Sequence, residues 1–226
     1  MDRPAGLFEA EKNQKLLETW AGNDAKSQPV FPVLATSTED EREADALLGG
    51  MGSFVAIAPS SVWATKRWPA DRFARVAAGL WKSKGLRAVI VGGREPEDIE
   101  CAGKVAASFR AIAPDAPPPL DLAGKTGLGT LKSVLSRAKL AVANDSAPLH
   151  VAIAMGVPVV GVFGPTVKEI GFFPNAPKGK AAAVEVAGLD CRPCGLHGHH
   201  ECPKGHFRCM LDLDPGAVLR EAERLL

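Results

Sequence analysis

Excess charge of either sign is missing from this sequence: 27 Lys and Arg stand against 26 Asp and Glu, a formal net charge of +1. That balance gives no general pull toward nucleic acid or an anionic membrane, so any basic site must be local. No apolar run reaches the length of a membrane span, and the polar N-terminus lacks the apolar stretch of a signal peptide. No membrane span is therefore expected, and a soluble cytoplasmic protein is the default. Internal repeats and low-complexity segments are absent. Cysteine is scarce outside one cluster: of 5 cysteines, Cys101 stands alone while Cys191, Cys194, Cys202 and Cys209 crowd together. An odd count with one local cluster is not a secreted disulfide framework.

What is present is an alternation of apolar strands and amphipathic helices. The 226 residues, 46% of them hydrophobic, suffice for one compact domain with a core. Residues 1–20 read as one amphipathic helix ending at Leu16, Leu17 and Trp20, and residues 21–50 as a polar linker with a short helix near Glu39–Leu48. Strands are expected at Phe54–Ala58, Ala88–Val91, Leu120–Leu122, Leu140–Ala143, Pro158–Phe163 and Val184–Val186. Between them, Phe73, Val76, Ala77 and Leu80 recur at helical spacing, Pro96–Ala107 forms a second helix, and Leu128, Leu131, Leu135 and Ala138 mark a third. Ala147–Met155 forms a fourth. Asp214 as N-cap and Pro215 at the first position open the last helix, with Val218, Ala222 and Leu225 facing inward. Strands apolar throughout are buried on both faces, as in a parallel sheet covered by helices. The expected class is α/β, a Rossmann-like open parallel sheet with helices on both faces, where ligands bind beyond the carboxyl ends of the strands.

The residues just after each strand are therefore the site candidates. After the first strand, Ser60, Ser61, Thr65 and Lys66 offer hydroxyls and an ammonium group, the donors a phosphate needs. An isolated Lys66-Arg67 pair would read as a solvated loop; its place after the first strand makes the ligand reading its equal. After the second strand comes Gly92-Gly93-Arg94-Glu95, where Glu95 either accepts ribose hydroxyls or merely favours a helix N-terminus. Leu122-Ala123-Gly124-Lys125-Thr126 is not a phosphate-binding P-loop, because the required earlier glycine is Pro119; its backbone instead suits a base pocket. The richest segment is Asn144-Asp145-Ser146-Ala147-Pro148-Leu149-His150, where a strand ends, Ser146 caps and Pro148 lies in the first helical turn. A helix N-terminus there is an anion site, and His150 shares a face with Ser146. Asp145 is the odd member beside a phosphate, so it is expected to accept N–H groups of the loop or a sugar hydroxyl. The plainer alternative is a Ser-capped helix with His150 satisfied in the core. Gly164-Pro165-Thr166 forms another glycine-lined strand end, with a hydroxyl at Thr166.

Taken in order, Lys66-Arg67-Trp68-Pro69, Gly92-Gly93-x-Glu95, Leu122–Thr126, Asn144–His150 and Phe163-Gly164-Pro165-Thr166 resemble the C-terminal half of the ADP-heptose:lipopolysaccharide heptosyltransferases of glycosyltransferase family 9, which have the GT-B fold. The resemblance runs from about Phe54 to the C-terminus. It implies that Lys66, with Ser60 or Ser61 nearby, contacts donor phosphates, that Glu95 holds the ribose and that the backbone at Thr126 meets the adenine. Asp145, Ser146, Ala147 and His150 would surround the diphosphate and donor sugar; Ala147 stands where the family usually has glycine. The implied reaction is inverting transfer of heptose from ADP-heptose to a lipid-linked saccharide acceptor, the lipopolysaccharide inner core, at the inner membrane surface, with no cofactor required. The family's acceptor domain supplies the general base, so no catalytic base is assigned here. Residues 1–50 would then be a helix and linker from an N-terminal acceptor domain, and 51–226 the donor domain. The alternatives are a non-catalytic nucleotide-sugar-binding module or inactive remnant, and another GT-B enzyme with a different donor.

Cys191, Cys194, Cys202 and Cys209, interleaved with His197, His199, His200 and His206, have ligand types and spacings that suit tetrahedral zinc. Reduced thiols or a local disulfide are the alternatives, and the resemblance does not decide among them.

Overall fold

Strand β1 (Phe54–Ala58) is apolar at every position and buried at every position. So are β4 (Leu140–Asn144, apart from its terminal Asn) and β5 (Val159–Phe163). The computed structural model, which describes residues 8–21 and 31–226 and only the backbone of 16–21, places these strands at the centre of a six-stranded sheet. With β2 (Arg87–Ile90), β3 (Leu120–Asp121) and β6 (Ala181–Glu185), every pairing is parallel and the order is β3-β2-β1-β4-β5-β6. The expected α/β class and Rossmann-like sheet are present. After β3 the chain returns to the far side of β1, so the direction of winding reverses between β1 and β4. In sheets of this kind that reversal opens a crevice at the carboxyl ends.

Alternate strand residues feed two cores. Val55, Ile57, Leu140, Val142, Val160 and Val162 lie with α3 (Ala70–Lys84), α4 (Pro96–Ile112) and α8 (Pro215–Leu225). Ala56, Ala58, Ala141, Ala143, Val159 and Phe163 lie with α2 (Thr38–Leu48), α5 (Leu128–Ser136) and α6 (Ala147–Ala154). The stripe Phe73, Val76, Ala77 and Leu80 is fully buried, and Gly85, at φ 66°, ends α3 in the left-handed region that L side chains avoid. Gly161 is required where α6 seats on β5: a Cβ there would stand 2.7 Å from the Phe163 ring and 3.2 Å from Leu149.

Residues 38–48 belong to this core rather than to an open linker. Ser37 and Asp40 form a reciprocal capping box, Ala44 and Leu48 are buried, and Asp45 pairs with Arg137 at 2.8 Å. Helix α1 (Glu9–Ala21) is tied to the loop after β5, with the Glu9 N–H on Gly171 O and Lys12 Nζ on Ile170 O, each at 3.1 Å. The expected helix face at Leu16, Leu17 and Trp20, and linker residues 22–30, lie outside the described residues.

Several boundaries differ from expectation for physical reasons. Helix α4 continues past Ala107 because Phe109 extends its buried stripe. Strand β6 starts at Ala181, a run of alanines whose low strand preference concealed it. Leu128 is not on the inward face of α5 but 65% exposed, and Ala138 lies beyond the helix end. Helix α7 (Arg208–Leu211) was not foreseen within the Cys-rich stretch. Among the described residues no helix is long and apolar enough to cross a membrane.

Candidate active site at the sheet crevice

The loop after β1 and the turn after β4 meet where the strand order reverses. Asn144, fully buried at the end of β4, joins them: its Nδ2 donates to Pro59 O at 2.6 Å, and its Oδ1 accepts the Trp68 N–H at 3.1 Å. Between those two contacts the β1 loop carries a short 3-10 turn, Ala64–Lys66, and at its end Lys66 Nζ meets Asp145 Oδ2 at 2.5 Å. Both side chains are out of solvent, Lys66 at 9% and Asp145 at 4% exposure. Thr166, on the loop after β5, donates its hydroxyl to the same carboxylate oxygen at 2.8 Å. The strand ends of β1, β4 and β5 are thus tied together through one acidic side chain.

Of the two partners expected for Asp145, loop N–H groups are replaced by an ammonium and a hydroxyl from neighbouring strand ends. The two opposite charges offset each other, and Lys66 keeps two further N–H donors. Ser146 does not cap α6 with its side chain; its hydroxyl donates to Asn144 O at 3.4 Å. Ala147, first residue of α6, is exposed, so the helix N-terminus opens at the crevice.

Ser60 and Ser61 are buried in the same β1 loop, where Arg67 Nε donates to Ser61 O at 2.6 Å. Ser60 Oγ lies beside Gly92, 3.4 Å from where a Cβ would stand, so the β1 and β2 strand ends touch there. Glu95 is exposed as the N-cap residue of α4 and Thr126 is half-buried after β3; both lie on the same sheet edge but outside the Lys66–Asp145 group. Gly124, at φ 75°, passes its N–H to Gly92 O at 3.3 Å, which turns the β3 loop toward the β2 turn.

His150, one turn into α6, is close enough for Asp145 and Lys66 to act on it electrostatically. Burial holds its imidazole below the ordinary value; Asp145 opposes that depression and Lys66 reinforces it. It also lines a cavity of about 280 Å³ with Phe8, Pro32, Phe172 and Phe173. A depressed folded pKa contributes stability above the unfolded value that is lost as pH falls through the folded one. The melting temperature is therefore expected to drop below about pH 6.5. In His150→Gln that part of the pH dependence should vanish; an unchanged profile in the variant would assign the acid lability elsewhere.

The four clustered cysteines are free thiols that do not form a ligand set. Among the described residues no three His, Cys, Asp and Glu side chains are gathered as a metal ion needs. Cys209 faces the core beside Met210, and its thiol is pushed up to about 11, chiefly by burial. Cys202 is the opposite case: burial raises it, but backbone N–H groups of Phe207, Lys204, Gly205 and His206 outweigh that and lower its pKa. Cys194 Sγ donates to Cys191 O at 3.1 Å.

Sequence names Asn144 in the turn after β4 and the hydroxyl of Thr166 after β5; what it does not show is that Asn144 braces the β1 loop and that Thr166 is a partner of Asp145.

Comparison with known proteins identifies the family and the fold. A family model described as glycosyltransferase family 9 (heptosyltransferase) matches residues 2–199. Lipooligosaccharide heptosyltransferase 2 of Campylobacter jejuni is 29% identical over 168 residues, 74% of this chain and 49% of that protein. The chain thus spans about half the length of this curated relative. The solved family 9 glycosyltransferase of Veillonella parvula superposes with a TM-score of 0.75 at 23% identity, covering 99% of this chain and 62% of that one. Escherichia coli ADP-heptose lipopolysaccharide heptosyltransferase II superposes at 0.69 and 22% identity, covering 90% of this chain and 56% of that one. With the matched region running through every strand of the sheet, the chain belongs to glycosyltransferase family 9, the heptosyltransferase family.

Proposed function

We propose that residues 51–226 bind the nucleotide-sugar donor of a heptosyltransferase, ADP-heptose, and that a partner acceptor domain brings the lipid-linked saccharide of the lipopolysaccharide inner core. The observation that carries this reading is the buried Lys66–Asp145 pair at the reversal of strand order, beside the open N-terminus of α6. Lys66 and the helix N-terminus hold the diphosphate, with Ser60, Ser61, Ser146 and the Ala147 backbone around it. Glu95 takes the ribose hydroxyls and the Thr126 backbone the adenine, each from its own strand end.

In the transfer, the acceptor hydroxyl attacks the anomeric carbon of the heptose. The bond from that carbon to the diphosphate breaks, and a base of the acceptor domain takes the hydroxyl proton. Charge builds on the leaving diphosphate, where a pre-placed ammonium and helix dipole stabilise it more than they stabilise the bound donor. His150, half-buried and with its pKa held low in the free protein, gains a proton more readily once a diphosphate lies near. No residue of this chain is assigned as general base. The reading places the protein in the cytoplasm, where it meets its acceptor at the inner membrane surface.

Calorimetric titration with ADP-heptose, ADP and UDP tests the proposal. ADP binding without transfer, with transfer restored by adding an acceptor domain, supports it; ADP binding with no transfer in either case leaves a nucleotide-sugar-binding module. Absence of binding to all three rejects both. Lys66→Ala should weaken ADP by about 1–3 kcal/mol through loss of a charge-assisted contact; unchanged affinity would remove Lys66 from the site.

The proposal extends to a structural zinc on Cys191, Cys194, Cys202 and Cys209. Their spacing in the sequence supports it. The free-thiol arrangement does not fit a metal, so binding requires Cys209 to leave the core. Elemental analysis of purified protein should find stoichiometric zinc; none would end this part of the proposal.

A further inference from the structure

The Cys-rich stretch is attached to both walls of the Lys66–Asp145 site. On one side it grips the β1 loop at Thr65, the neighbour of Lys66. The Thr65 N–H donates to His199 O at 3.1 Å; the Thr65 hydroxyl donates to the same oxygen at 3.1 Å and accepts the His199 N–H at 2.7 Å. The Trp63 ring stacks on His197, with centroids 6.4 Å apart and planes 7° from parallel, and tilts against His200 at 5.4 Å. Buried Gly198 lets the backbones close: a Cβ there would stand 3.0 Å from Thr65 Oγ1 and would overlap Trp63 Cβ.

On the other side the stretch grips the β5 loop at Thr166. The Cys194 N–H donates to Pro165 O at 3.0 Å, and Arg192 Nη2 donates to Thr166 O at 2.7 Å. The two grips are joined to each other, since His199 Nε2 donates to Cys194 O at 2.9 Å. Thr65 precedes Lys66, and Lys66 and Thr166 are the two groups that hold Asp145. The stretch from Arg192 to His199 therefore spans the site and fixes both sides of it.

We propose that Arg192–His199 is a strap that presets the diphosphate site, with Thr65 as the positioning residue through which it holds Lys66. The inference rests on the reading of Lys66 as a diphosphate ligand. A lysine has a long flexible stem, and a phosphate gains most from an ammonium whose backbone is already fixed. The β1 loop has little regular structure of its own to do this beyond one 3-10 turn. Three hydrogen bonds between Thr65 and His199, closed over by the Trp63 stack, supply the fixation from outside the loop.

The test is a calorimetric ADP titration of the full chain as wild type, Thr65→Val, Thr65→Ser, Lys66→Ala and the double variant Thr65→Val with Lys66→Ala. Thr65→Val removes both side-chain bonds while keeping the shape, and should weaken ADP roughly tenfold, a step of about 1.4 kcal/mol. Thr65→Ser restores the hydroxyl and should return the affinity to within about twofold of wild type. Because Thr65 acts through Lys66, Thr65→Val should change affinity by less than about twofold once Lys66 is alanine, the non-additivity of coupled residues. A merely structural role would not produce that silence. An equal loss in both backgrounds, or no loss in either, overturns the proposal. A wild type that binds no ADP overturns the diphosphate reading itself, a result distinct from a Thr65 variant that binds as wild type does. Should Thr65→Val fail to fold, Gly198→Ala presses the same loop from the strap side and should show the same weakening, again silent without Lys66.

Discussion

Replacing Asp145 with alanine is expected to cost about 3–5 kcal/mol of folding stability, the range for removing one partner of a buried ion pair. The physical reason is asymmetric. With Asp145 present, the Lys66 ammonium is buried but neutralised at 2.5 Å; without it, the charge stays 9% exposed with no carboxylate beside it. Thr166 loses its acceptor as well. Urea unfolding should therefore show a lower midpoint with an unchanged slope, since no more surface is exposed than before. ADP supplies the missing negative charge, so it should raise the melting temperature of Asp145→Ala more than that of the wild type. A double change, Lys66→Met with Asp145→Leu, removes both charges and should recover much of the lost stability while weakening the response to ADP. An Asp145→Ala protein as stable as the wild type would mean that the pair is not buried as a pair in solution. A double variant stabilised by ADP as much as the wild type would detach the diphosphate site from Lys66.

The sheet was legible because its strands carry little but apolar residues, and a strand buried on both faces needs nothing subtler than that. Val55 and Ile57 serve one core and Ala56 and Ala58 the other, so no alternation was needed to find β1. The sites after the strands were legible for a topological reason: parallel strands deliver all their carboxyl ends to one edge. Lys66, Asp145, Ser146, Ser60 and Ser61 could be named from that fact and from residue chemistry. Their partners could not. Asp145 is equally suited, on sequence, to accept loop N–H groups or to face Lys66; only the adjacency of β1 and β4 decides, and strand order is not written in any local pattern. Thr65 looked like one more hydroxyl of the phosphate loop, whereas its hydroxyl is spent on His199, 134 residues away in the chain. The Cys-rich segment was read by its thiols, although its backbone, the Arg192 side chain and the His197 and His200 rings make the contacts with the site. Ligand spacing along a chain reports that thiols are near in sequence, and Cys209 shows why that is not enough: it lies within α7 and faces the core.

Asn144→Leu is expected to lose about 2–5 kcal/mol, because the Trp68 N–H would be left buried without a partner and the Pro59 carbonyl with only the weak Cys101 thiol donor at 3.5 Å, at about 1–3 kcal/mol apiece. Leucine gains some apolar contact, but it cannot bridge the two ends of the β1 loop, which Asn144 now closes at 2.6 and 3.1 Å. The loop between those ends carries Ser60, Ser61, Thr65 and Lys66, so ADP affinity should fall with stability, unlike in a core variant remote from the crevice. Asn144→Asp separates brace from bulk. Its ionised carboxylate can still accept the Trp68 N–H but would set a second oxygen against the Pro59 carbonyl, an acceptor facing an acceptor. Protonated, it can donate to that carbonyl and restore the brace. The introduced carboxyl should therefore have its folded pKa raised, giving stability that is present below the unfolded value of roughly 4 and is lost as pH rises through the folded one. Asn144→Asp should thus gain stability relative to Asn144→Leu as pH falls from neutrality toward 4. A constant difference between the two variants across that range would show that the Pro59 contact does not hold the loop.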